Sequence, residues 1–217
     1  MIKHECKIVG INPVWITGLL TGVFLAVCSG GGDNIHWGYV GFEIIFPFYT
    51  AIIVGKWCRV RTDLMFETIA AQAESLFTWI VRRYILLLAG ILVFSIAGIE
   101  GVSALKPGMD VMDLLLTYMT TAFFLSSLCV AVSICTSTPH MAVMVTGIVW
   151  LFSLMAVSMI RYKTVSYFYL FIRYAGGDDP IWRVNKTILV VLGLCLWGIS
   201  YTACRIRIFA ASDPGKD

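Results

Sequence analysis

What this sequence has least of is charge. Only 13% of its 217 residues are Asp, Glu, Lys or Arg, against about 25% in ordinary soluble domains. Hydrophobic residues make up 59%, and the mean hydropathy is +0.86. A soluble fold of this length has no interior large enough to hide so much apolar surface, so a soluble enzyme is excluded and lipid is the expected solvent. Histidine is scarce and dispersed (His4, His36, His140), with no H-E-x-x-H spacing, which argues against a metal site. The phosphate-cradling G-x-x-x-x-G-K-[ST] loop is absent, and Gly30-Gly31-Gly32-Asp33 has no lysine after it. No nucleotide hydrolysis is therefore expected of this chain, and it is read as a non-enzyme without a cofactor of its own. The seven cysteines form no C-x-x-C pair, so neither a zinc site nor a disulfide framework is expected. Basic residues form no stripe that would mark a nucleic-acid partner.

What is present is a succession of long apolar runs, at 11–29, 38–55, 84–105, 111–135, 141–160 and 187–204. A helix needs roughly 20 apolar residues to cross a bilayer. Only helices or closed barrels satisfy their backbone in lipid, and barrel strands would alternate in polarity. The expected fold is all-α: a single polytopic transmembrane domain over 1–217 with six spans.

Six spans put both termini on one side. Ten of the lysines and arginines fall there: Lys3, Lys7, Lys56, Arg59, Arg61, Arg82, Arg83, Arg205, Arg207 and Lys216. Six fall on the other: Lys106, Arg161, Lys163, Arg173, Arg183 and Lys186. Positive charge favours the cytoplasm, so both termini are expected there, in a plasma membrane of bacterial type. Two loops exceed bare connectors. The cytoplasmic stretch 62–80 reads as an amphipathic helix, with Asp63, Glu67, Gln72 and Glu74 opposite Leu64, Ile69, Leu76 and Ile80. The external stretch 161–186 is rich in Tyr, Phe and Trp and contains the turn signal Gly176-Gly177-Asp178-Asp179-Pro180. It reads as a re-entrant element dipping into the outer leaflet between the fifth and sixth spans.

This layout resembles the membrane subunit of an ABC-2 type (type V, ABCG-like) exporter, of the compact kind with a separate ATPase chain. The motif that carries the likeness is Arg59-Val60-Arg61-Thr62-Asp63-Leu64-Met65-Phe66-Glu67-Thr68-Ile69, leading to Trp79, Arg82 and Arg83. The glycine that commonly follows the acidic residue in that family is missing here. The resemblance implies a coupling helix seated on an ATPase, with Arg61, Asp63, Glu67, Gln72 and Glu74 as candidate contacts. It implies ATP and magnesium on the partner subunit, a second permease copy or related subunit, and a dimeric path for a hydrophobic or amphipathic substrate, which in several such systems is a peptide. It also implies that the second and fifth spans line that path, which makes Glu43, Phe46, Tyr49, Trp150 and Met155 its candidate residues.

Glu43 is the one acidic residue well inside an apolar run. Ionisable groups there are costly and mark candidate functional points, although Glu43 also lies near enough to Trp37 to bond locally at the interface. Two other readings therefore stand beside the permease: an ion-gradient-driven transporter using Glu43, and a membrane scaffold or sensor that acts by binding. Ser126, Ser127 and Ser133 have no histidine or paired aspartate in register, so they read as helix-packing hydroxyls.

Overall fold

The structure, a computed structural model, describes residues 12–30, 36–58, 76–106, 108–136, 140–176 and 181–211. Among them there is no strand. α1 is Asn12–Gly30 and α2 is His36–Trp57, whose Val40–Ile45 stretch is wound as a π-helix. α3 is Leu76–Leu105 and α4 is Val111–Cys135. α5, Met141–Met155, continues as a 3-10 turn over Ala156–Arg161. A short α6, Lys163–Ser166, leads through turns to α7, Ile181–Ala211. Five helices are long and apolar enough to cross a membrane, those of His36–Trp57, Leu76–Leu105, Val111–Cys135, Met141–Arg161 and Ile181–Arg205; Trp15–Gly30 is a shorter apolar helix. This is the architecture of a multi-pass membrane protein.

α3 begins earlier than its apolar run. The expected amphipathic stretch joins it without a break from Leu76, and Trp79 and Ile80 are buried rather than spread over a surface. The remainder of that stretch, with Arg61, Asp63, Glu67, Gln72 and Glu74, lies outside the described residues.

α4 is the hub, packed against α2, α5 and α7, while α1 lies along α3. Small and hydroxyl residues make its close approaches possible: Thr117, Thr121, Ala122, Ser126, Ser127 and Cys129 are all buried. Three of these hydroxyls return to the helix's own carbonyls: Thr121 Oγ1 to Thr117 at 2.9 Å, Ser126 Oγ to Ala122 at 2.6 Å and Ser127 Oγ to Phe123 at 2.6 Å. Ser126 also meets the Tyr84 hydroxyl of α3 at 3.0 Å, in keeping with the packing role expected of it. The start of α4 is fixed by Asp110, whose carboxylate accepts from Met112 N–H at 3.1 Å.

Gly55 of α2 faces Cys129 so closely that an added Cβ would collide with its Sγ. Gly55→Ala should destabilise the protein by about 1–3 kcal/mol through overpacking. Combined with Cys129→Ala it should recover, because the remaining neighbours lie at ordinary contact distances, from 3.6 Å outward. Thermal unfolding of the two variants in micelles tests this pairing.

Candidate functional site

The first ten or so residues of α2, α4 and α7 meet at one end of the bundle, and there the Glu43 carboxylate finds its partners. Glu43 sits within the π-wound turn of α2, where Phe46 N–H reaches back five residues to Gly41 O. Pro47 follows at the head of the next α-helical stretch. Its missing N–H leaves the carbonyl four residues earlier without the usual donor, and a π-turn, a feature common at functional sites, accommodates the mismatch. Trp150 of α5 donates its indole N–H to the neighbouring Ile44 carbonyl at 3.0 Å.

Glu43 is fully buried, and Lys186 of α7 is 4% exposed. Lys186 Nζ donates to Glu43 Oε1 at 2.7 Å, to Thr121 Oγ1 at 3.0 Å and to the Leu170 carbonyl at 3.0 Å. An ammonium has three hydrogens, so every one has an acceptor. Glu43 also receives the backbone N–H of Tyr174 at 2.6 Å and that of Arg173 at 3.3 Å. A buried ion pair holds its charge only when the remaining donors and lone pairs are met in this way.

Both residues thus grip the non-helical segment 167–176. Asn185, next to Lys186, adds a third hold: the two hydrogens of its Nδ2 are shared among the carbonyls of Ser166, Tyr167 and Tyr169, at 3.0, 2.9 and 2.8 Å. Tyr169, Leu170, Phe171 and Ile172 are all at most 5% exposed and pack with Ile44, Ala51, Leu125 and Leu189. The segment closes at Gly176, whose φ of +81° is open to glycine at no steric cost. At the rim, Arg173 bridges Asp113 of α4 at 2.7 Å and lies against the rings of Tyr39 and Trp182 at 5.6 and 5.0 Å.

No protein-family model matches this chain, and no curated protein or solved structure does either. The site therefore stands on its own geometry.

Of the candidate path residues, Glu43, Phe46, Tyr49 and Trp150 each have their own contacts within the single chain. Glu43 is engaged as above. Phe46 is buried against Phe42, stacked at 4.8 Å, and against the edge of Phe24 at 5.8 Å. Tyr49 donates its hydroxyl hydrogen to the Pro13 carbonyl at 3.2 Å. Trp150, besides its bond to Ile44, stacks on Phe48 at 4.5 Å. Met155 is 76% exposed at the end of α5.

Sequence reasoning missed Lys186, Asn185, Thr121, Arg173 and Asp113. Lys186 was counted as a loop cation because the apolar run begins at Thr187. The available signal was a lone cation at the edge of one span matching a lone carboxylate inside another.

Proposed function

We propose that this chain is the membrane-spanning permease subunit of an ATP-driven exporter. It works with a second copy or a related subunit and with a separate ATPase chain that carries ATP and magnesium. In this reading α1 is the sixth span, the membrane is a bacterial plasma membrane, the termini are cytoplasmic and the segment between α5 and α7 is re-entrant from outside.

The observation that carries the reading is the seating of 167–176 inside the bundle. Non-helical backbone at membrane depth is tolerated only where protein covers it, and here Glu43, Asn185 and Lys186 satisfy it. The charge balance supports the orientation. Of the six cations assigned to the outer side, Arg173 and Lys186 are spent in ion pairs and Lys106 is only 6% exposed, whereas on the other side Arg83 is buried; discounting all four leaves the excess where it was. Closure of the ATPase would act on α3, which begins at Leu76.

The test is purification of the chain from its native host with its partners. An ATPase subunit should accompany the wild-type chain in stoichiometric amount and be lost from Glu67→Arg. Its absence from both preparations would sink the reading. The Glu43–Lys186 pair favours a second reading, transport driven by an ion gradient. Reconstituted vesicles separate the two: uptake that follows an imposed pH gradient without ATP supports the second alone.

A further inference from the structure

In the clasp around 167–176, Glu43, Lys186 and Asn185 hold the main chain, while at the rim Asp113 holds the side chain of Arg173. Glu43 takes two backbone N–H groups, while Lys186 and Asn185 between them serve four backbone carbonyls. The side chains of the segment fill an apolar slot between α2, α4 and α7, lined by Ile44, Ala51, Leu125 and Leu189. Apart from the Arg173 bridge, none of these contacts reads anything that another apolar peptide would lack.

The fit is also incomplete. Asn185 Oδ1, Trp182 Nε1 and the Tyr169 hydroxyl are buried without a hydrogen-bond partner among the described residues. Asn185 is fully buried and Trp182 is 2% exposed. A buried acceptor and a buried donor left unmatched are expensive, and both lie on α7 beside the segment. An incoming peptide, with an N–H and a C=O at each residue, carries the groups that match them.

We infer that this slot is a binding site for apolar peptide backbone and that 167–176 occupies it as a built-in surrogate, to be displaced by ligand. The ligand class is a short peptide with consecutive aliphatic or aromatic side chains and free backbone amides. The inference deepens the permease reading by naming the substrate class at its outer end, and in that respect it rests on that reading. The slot itself belongs to this chain alone.

The experiment uses the full chain in lipid nanodiscs without any ATPase. The probe is a synthetic peptide of the sequence at 166–175 with a photoreactive group in place of the ring of Phe171. Cross-links are mapped by mass spectrometry in wild type and in Phe171→Ala, which weakens the resident segment and leaves the clasp intact. If Phe171→Ala does not fold, Leu170→Ala serves as the milder loosening. The expected result is labelling at Ile44, Leu125 or Leu189 that is several-fold stronger in the loosened variant. A probe N-methylated at the two amides that would meet Glu43 should label less by on the order of tenfold or more.

Three results would overturn the inference: no labelling in either protein, labelling indifferent to N-methylation, or labelling confined to outward-facing residues such as Met144 and Phe152, which would mark partition into lipid. The two readings fail separately. Slot labelling in a chain that never captures an ATPase would uphold the peptide site and remove the pump, whereas capture without labelling would do the reverse.

Discussion

Lys186→Met should cost about 3–5 kcal/mol, the penalty for stranding a buried charge. Glu43, which is fully buried, would keep its two backbone donors but lose its ion-pair partner at 2.7 Å. The Leu170 carbonyl would lose its bond to Lys186 as well. Adding Glu43→Gln should restore most of the loss, because Gln removes the charge and keeps an oxygen for the Tyr174 N–H. Two related variants separate this directional site from a generic salt bridge. Leucine at both positions should not be neutral, because the N–H groups of Arg173 and Tyr174 would be left without an acceptor. Charge reversal, Glu43→Lys with Lys186→Glu, should fail too: an ammonium at 43 would face those two donors, and a carboxylate at 186 would face the Leu170 carbonyl. Equilibrium unfolding of the five proteins in one detergent checks the ranking. A charge-reversed protein as stable as wild type would contradict it.

The second large effect is expected at Asn185. Asn185→Ala leaves three carbonyls without the donor they share, at about 1–3 kcal/mol for each buried group that finds no other partner. Asn185→Asp should be worse, although it alters one atom and almost no volume. An ionised carboxylate only accepts, and it would confront three carbonyl oxygens that now lie 2.8–3.0 Å from Nδ2. The expected loss is on the order of the 3–5 kcal/mol that an uncompensated buried charge costs. Amide hydrogen exchange should rise first in 167–176 and only later in α2 and α4. An Asn185→Asp protein no less stable than Asn185→Ala would show that packing, not donor chemistry, seats the segment.

The spans were legible because membrane helices announce themselves locally. The run at 111–135 coincides with α4, and that at 141–160 differs by one residue from the α5 unit ending at Arg161. Where the prediction fell short, hydropathy had marked the lipid-crossing part of a longer helix. α3 starts at Leu76 rather than Tyr84 and α7 at Ile181 rather than Thr187. Their opening turns, which include Arg82 and Arg83 in α3 and Arg183, Asn185 and Lys186 in α7, continue the helices because backbone bonding and packing hold them, with Arg83, Asn185 and Lys186 all buried.

The sequence by itself determined the class: composition and run length leave helices in lipid as the only way to satisfy this backbone. It also singled out Glu43, because an acid inside an apolar run stands out by itself. It could not supply the partner. Lys186 lies 143 positions away and looks like an ordinary loop cation, and the aromatic segment 167–176 reads as an interfacial loop until its burial is seen. Only the tertiary structure decided these points, because an ion pair and a seated segment depend on which helices meet, and that depends on contacts across the whole chain that no local pattern records.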